Sequence, residues 1–258
     1  MNPAYQTIQV ETQAPVCVIR LNRPEARNTI NERMIDECGR ALAGLDDSIT
    51  IVVIEGSAEE FSFGADFQQV HRAVAEGARQ EQDPGPLYDL WLRLASGPFV
   101  SVAHVRGQAN AGGVGFVAAC DIVLAEATAT FSLSELLFGL YPACVLPFLI
   151  RRIGRQRAHY MTLMTQPVAA EQARQWGLVD ACEPNSKDLL RRHLLRLRRL
   201  SRDAIVRYKK YVNRLDDSLV RSRAPAIEGN REVFSDEQNL ERISRYVRTG
   251  LFPWEEGD

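Results

Sequence analysis

Twice in this chain a mainly apolar run leads into a glycine turn and then into a helical pattern. The first run is Ile51-Val52-Val53-Ile54, followed by the turn in Phe61-Ser62-Phe63-Gly64-Ala65-Asp66-Phe67. The second is Phe99–His104, followed by Ala111-Gly112-Gly113-Val114-Gly115 and a short helix to Ala119. A strand with no polar face is covered on both sides. Strand–helix alternation of this kind, followed by a run of helices, implies a wound α/β core with a helical C-terminal extension.

The remaining elements fit that frame. Tyr5–Val10 and Val16–Leu21 read as strands joined by a turn at Gln13-Ala14-Pro15. Asn22-Arg23-Pro24-Glu25 breaks the second strand. Asn28-Thr29-Ile30-Asn31 then caps a helix from about Glu32 to Leu45, with Met34, Ile35, Cys38 and Leu42 at helical spacing. Helices are expected over Ala65–Glu76 and Leu87–Ala95, with a polar, mobile loop between them from Glu76 to Pro86. Asp121–Glu126 and Thr130–Leu133 read as strands, and Ala158–Met164 and Ala169–Gly177 as helices. From Asp188 onward the pattern is helical and rich in Arg. The composition shift at Pro184-Asn185-Ser186 divides a core, 1–185, from a helical region, 186–258.

Bulk properties exclude several classes. Lys and Arg total 31 against 33 Asp and Glu, so no global field favours nucleic acid or a membrane surface. No apolar stretch reaches the length of a membrane span. Met1 is followed by polar residues, which argues against a signal peptide. Five scattered cysteines, with no CxxC or Cys/His metal spacing, read as buried free thiols of a cytoplasmic protein.

The chemistry concentrates in three places. Glycine lets backbone N–H groups approach a ligand closely, and N–H groups at a helix start are unpaired and suit negative charge. The two glycine turns could therefore supply one N–H each to a carbonyl oxygen. Each also has a plainer reading. Asp66 is a common kind of helix-start acid, and the second turn could serve close packing. The second turn lacks the Lys-Ser/Thr of a Walker loop and the spacing of a dinucleotide site. The third place is Glu135, set among Leu133, Leu136, Leu137 and Phe138. Unless it is a surface glutamate, desolvation raises its pKa and suits it to move protons. An anion cradle plus one base is the equipment for enolate chemistry. Separately, Arg191–Arg199 sets basic residues around a leucine stripe, either a solvated helix or a landing surface for an acidic partner.

These residues carry a family resemblance. Leu21-Asn22-Arg23-Pro24-Glu25-Ala26-Arg27-Asn28, the Gly64-Ala65-Asp66 turn, Gly112-Gly113 with Cys120-Asp121-Ile122, and Phe131…Glu135…Gly139…Pro142 resemble the crotonase, or enoyl-CoA hydratase/isomerase, superfamily. The resemblance covers nearly the whole chain. It implies a spiral of repeated ββα units, a C-terminal helical region used for trimerisation, and thioester substrates. By position, the oxyanion hole would be the N–H groups of Ala65 and Gly112, with Glu135 as the acid–base residue. Arg23 and Arg27 would begin the CoA site. Asp66, Gly113, Gly115, His71, Tyr88 and Tyr141 would line the substrate. The first of the two glutamates that hydratases of the family carry falls on Gly115, which leaves room where a carboxylate would stand.

A closer resemblance is to the dehydratases of polyketide β-branching cassettes. It rests on Gly64–Gln68, Pro86–Trp91 and the run from Phe131 to Thr165. It implies removal of water from a 3-hydroxy-3-methylglutaryl group on an acyl carrier protein. The phosphopantetheine arm would be part of the substrate, with no metal or redox cofactor, and the assembly a homotrimer or hexamer. The alternatives are an enoyl-CoA or methylglutaconyl-CoA hydratase of catabolism, a decarboxylase of the same cassette, or an inert crotonase scaffold.

Overall fold

The computed structural model describes residues 5–76 and 83–256. Strands β1 (Ile8–Gln13) and β2 (Val16–Leu21) form an antiparallel hairpin. Helix α1 (Glu32–Ala43) follows, opened by Asn31, whose side chain accepts the Met34 N–H at 2.9 Å. A spiral of repeats comes next. Its first repeat is β3 (Ile51–Glu55), β4 (Glu60–Ser62), α2 (Phe67–Ala75) and α3 (Gly85–Ser96). Its second is β5 (Val100–Val105), β6 (Gln108–Asn110) and α4 (Gly112–Ala119). Its third is β7 (Ile122–Glu126), β8 (Thr130–Ser132) and a 3-10 turn at Glu135–Phe138. The core closes with α5 (Leu146–Ile153), α6 (Arg155–Met164), β9 (Val168–Ala169), α7 (Ala170–Trp176) and β10 (Ala181–Glu183). Helices α8 (Ser186–Leu197), α9 (Arg202–Leu215), α10 (Ser218–Arg221), α11 (Arg223–Ser235) and α12 (Glu237–Thr249) complete the chain.

Each repeat lays its first strand in one sheet and its second in another. The first sheet has the order β1-β2-β3-β5-β7-β10 and is parallel from β2 onward. The second has the order β4-β6-β8-β9, with only β9 antiparallel. In the second sheet Ser62 pairs with Ala109, and Asn110 with Ser132. The turns that leave β4, β6 and β8 are therefore side by side.

The unbroken run in β3 is explained by this layering. Val52 and Ile54 pack into the main core with α1, α3 and α4. Ile51 and Val53 pack on the opposite face beneath Leu189 and Leu197 of α8. All five residues of β3 are buried.

The first strand runs from Ile8 to Gln13 rather than over Tyr5–Val10, because pairing with β2 draws polar Glu11, Thr12 and Gln13 into an edge strand. Helix α3 begins at Gly85, ahead of the expected Leu87, and residues 77–82 of the expected loop lie outside the described residues. Strands β4, β6, β9 and β10 are too short for an alternation pattern to register. Four cysteines are buried, and Cys182 is only half-buried. No helix among the described residues is long and apolar enough to cross a membrane.

Candidate active site

Three equivalent turns of the spiral stand next to one another along the second sheet. After β4 the chain passes through Gly64, at φ +84°, to Ala65. After β6 it passes through Ala111, at φ 51° and ψ −120°, to Gly112. That conformation is sparsely populated for a residue with a Cβ and costs on the order of 1–3 kcal/mol, so the surrounding turn must hold it. After β8 the chain reaches Ser134 and Glu135. The Gly64 carbonyl accepts the Ile30 N–H at 2.7 Å, and the Ser132 carbonyl accepts the Ala111 N–H at 2.9 Å.

The first two turns touch. A Cβ on Gly64 would stand 2.6 Å from the Ala111 Cβ and 3.0 Å from the Gly112 nitrogen. Only glycine permits both this approach and the positive φ. Ala65 immediately precedes Asp66, the N-cap of α2, and Gly112 is the first residue of α4. The N–H groups that open α4 have no partner within the helix and carry the positive end of its dipole.

Asn110 joins the second turn to the third. Its Oδ1 accepts the Ser132 hydroxyl at 2.8 Å, and its Nδ2 donates to Ser134 Oγ at 2.9 Å. Asn110 is buried, and it has no place among the candidates read from sequence. Its signal was a polar residue at the mouth of the glycine turn, where a short strand ends.

Glu135 is the third turn's contribution. Part of the residue touches solvent, but Oε2 is buried and has no hydrogen-bond partner. Burial pushes its carboxyl up to about 7, opposed by smaller lowering effects of backbone amides at Glu135 and Ser134. The turn is locked by the Leu140 N–H on the Glu135 carbonyl at 3.1 Å. It is also held by an aromatic cluster in which Phe138 meets Phe67 of α2 and Tyr246 of α12, each at 5.1 Å.

The other expected site residues divide. Asp66 accepts from the Gln69 N–H at 3.1 Å and from Arg23 at 2.9 Å, so Arg23 braces the start of α2. Arg23 also donates to the Thr29 carbonyl at 2.7 Å. The Arg27 guanidinium lies 3.3 Å above the Phe63 ring centroid and is paired with Glu60. Gly113 packs α4 on β4, where a Cβ would come 2.4 Å from the Ser62 carbonyl oxygen.

Two expectations are corrected. There is no room at Gly115: a Cβ there would stand 2.4 Å from two atoms of the Trp91 indole. Trp91 is buried edge-on to Phe116 and Phe148 and fills the space a second glutamate would need. Tyr88 does not present its hydroxyl to a substrate. It is fully buried and donates to the Leu219 carbonyl at 2.6 Å. The Tyr141 hydroxyl is likewise engaged, donating to Glu232 at 2.9 Å. His71, one helical turn beyond Phe67 on α2, keeps a buried Nδ1 without a partner among the described residues.

An open cleft of about 710 Å³ lies against the first turn, lined by Arg23, Arg33, Asp66, Gln69 and Arg72 among others. The basic helix α8 is elsewhere. It covers the sheet face opposite α4, and Arg191 and Arg192 pair locally with Asp188 and Glu183.

The chain belongs to the enoyl-CoA hydratase/isomerase family, whose model matches residues 11–257. It is 56% identical over 253 residues to the bacillaene synthase dehydratase PksH of Bacillus subtilis, covering 98% of both chains. The solved structure of the Bacillus subtilis polyketide-biosynthesis protein PksH superposes with a TM-score of 0.95, over 97% of this chain and 100% of that one. The mevalonyl-coenzyme A hydratase sidH of Aspergillus fumigatus is 35% identical over 183 residues, covering 69% of this chain and 67% of that one.

Proposed function

We propose that the protein is a dehydratase that removes water from a 3-hydroxy-3-methylglutaryl group carried as a thioester on an acyl carrier protein, giving the 3-methylglutaconyl thioester. The observation that carries this reading is the buried, unpartnered Oε2 of Glu135 on the turn next to two glycine turns, with the second acid's position filled by Trp91. The identity to a polyketide dehydratase supports the carrier-bound substrate. The similarity to a mevalonyl-coenzyme A hydratase supports a branched one, since a mevalonyl thioester also bears a tertiary 3-hydroxyl.

The steps follow from the groups present. The thioester carbonyl oxygen takes hydrogen bonds from the N–H groups of Ala65 and Gly112, and one such donor is typically worth roughly 3–4 kcal/mol. Ionised Glu135 removes the C2 proton, and the electron pair moves into the carbonyl as an enolate. The enolate then collapses to form the C2=C3 bond and expels the C3 hydroxyl. That hydroxyl leaves as water by taking the proton Glu135 has just gained. The tertiary carbon favours departure of the hydroxyl, so one carboxyl serves both transfers. The phosphopantetheine arm belongs to the substrate, and the scheme uses neither metal nor redox cofactor. A homotrimer is part of the same reading, supported by Tyr208, Tyr211 and Leu215 of α9, which are 67%, 60% and 68% exposed.

The test is turnover of hydroxymethylglutaryl-carrier protein beside crotonyl-CoA. Dehydration of the first with little hydration of the second is expected. The reverse preference would establish a catabolic hydratase, and activity on neither an inert scaffold.

A further inference from the structure

We infer that His71 is the specificity residue that receives the distal carboxylate of the substrate, binding it through Nδ1–H. The inference rests on the reading above, because only a glutaryl-type acyl group carries that carboxylate.

Among the residues expected to line the substrate, Tyr88, Tyr141 and His71 carry a side-chain donor, and the hydrogen bonding separates them. The Tyr88 hydroxyl is donated to the Leu219 carbonyl, and the Tyr141 hydroxyl to Glu232. His71 Nδ1 is sealed from solvent with no partner among the described residues. A buried polar nitrogen left without a partner is uncommon in a native fold and points to a group that arrives later. Glu135 Oε2 is in the same condition.

Helical geometry puts the two groups on facing elements. Phe67, Val70 and His71 stand at i, i+3 and i+4 on α2 and share one face. Phe67 meets Phe138, the last residue of the 3-10 turn that Glu135 opens, and Val70 shares an apolar cluster with Phe138 and Leu140. His71 therefore lies on the face of α2 that packs against α12 and, through Phe67 and Val70, borders the Glu135 turn. It is six residues beyond Ala65, roughly 9 Å along a helix axis. Helical side chains tilt back toward the N-terminus, which brings the imidazole nearer the oxyanion turn. A glutaryl chain extends about 5 Å from thioester carbon to distal carboxylate carbon at ordinary bond lengths. In the proposed pose the acyl chain runs from Ala65 and Gly112 along α2, which carries its distal carboxylate toward the imidazole.

The test compares two substrates in wild type, His71→Ala and His71→Gln. One is 3-hydroxy-3-methylglutaryl-carrier protein. The other is the 3-hydroxy-3-methylbutyryl-carrier protein, which lacks the carboxylate. Each variant should lose about 10- to 100-fold in kcat/KM on the first substrate, the scale of one hydrogen bond to a charged group. On the second, each should stay within threefold of wild type. Equal losses on both substrates would make His71 a packing residue, and no loss on either would place the carboxylate elsewhere. Either result overturns the assignment. Thermal melts identify a variant that fails to fold, and the second variant then decides. Absence of wild-type turnover on the first substrate would instead overturn the proposed reaction, so the two failures are separable.

Discussion

The turns that follow β4 and β6 and the turn that follows β8 occupy the same place in successive repeats, yet they offer opposite things. The first two offer backbone. Gly64 and Gly112 strip away side chains so that N–H groups can converge. The third offers a side chain, in a 3-10 turn that places Glu135 among apolar neighbours. Backbone donors are held in place by the sheet and by helix starts. The carboxylate is held against its own solvation, and it subtracts from stability. In the proposed reaction one repeated scaffold thus supplies both the oxyanion donors and a desolvated base.

Substituting Glu135 should produce the largest effect and separates the two halves of that comparison. Glu135→Gln is expected to lower kcat by about 10³-fold or more, since one group serves both proton transfers. It should also stabilise the fold. The native carboxyl titrates at about 7 against 4.5 for a free one, so the native protein holds a proton that the unfolded chain releases between those values. Wild-type stability therefore falls as pH rises through that window, by up to roughly 3 kcal/mol in all. The variant lacks this loss and should melt higher at pH 8 but not at pH 4. In wild type, kcat/KM should rise with pH to about 7 and then level, as the base ionises. A variant that melts lower at pH 8 would mean the carboxylate is stabilised in place.

A glycine turn should respond in the opposite sense. Gly64→Ala meets both a φ of +84° and the Ala111 Cβ at 2.6 Å, so the turn must shift and Gly112 with it. Loss of about 10²-fold in kcat is expected, as for a misplaced oxyanion donor. Here activity and melting temperature should fall together. Unchanged kcat would remove the Gly112 N–H from the mechanism. Asn110→Ala, which cuts the Ser132 and Ser134 links between the cradle and the base, should cost about tenfold in kcat with KM little changed.

Gly115→Ala separates packing from chemistry. Its Cβ meets the Trp91 ring, and overpacking of this kind typically costs about 1–3 kcal/mol. Loss of stability should be clear, with equal loss of activity on branched and linear substrates. A selective loss on the branched one would restore a direct role for the glycine.

How much of this was legible beforehand follows from range. The β3 run declared a strand buried on both faces, and glycines at 64 and 112 declared turns, because each is a local rule about a few residues. The family order of motifs then singled out Ala65, Gly112 and Glu135 as candidates. Side-chain partners were not legible. That Trp91 lies on Gly115, that Tyr88 reaches Leu219, and that Asn110 bridges two turns depend on residues brought together by the spiral. Three of the second sheet's four strands were missed for the same reason, Thr130–Leu133 being the one expected. The strands of that sheet are two or three residues long and owe their existence to one another.

The smallest effect concerns where the proposed carrier protein would approach. The sequence offered the Arg191–Arg199 helix, but α8 lies on the sheet face away from α4, and two of its arginines are paired. The cleft at the first turn carries Arg23, Arg33 and Arg72, although carboxylates of Glu25, Glu32 and Glu76 share its wall. Of these, Arg33 and Arg72 are free of ion pairs among the described residues, while Arg23 is committed to Asp66. Complementary charge speeds encounter more than it deepens affinity. Replacing Arg33 and Arg72 with Ser should therefore raise KM for carrier-bound substrate about threefold and leave a pantetheine-linked mimic unchanged. The increase should shrink at 1 M salt, where the Debye length falls to about 3 Å. Replacing Arg192, Arg196 and Arg199 should change neither substrate. If the second set raises KM and the first does not, the carrier docks on the face of the sheet remote from the oxyanion turns, and its arm must reach around the edge to Glu135.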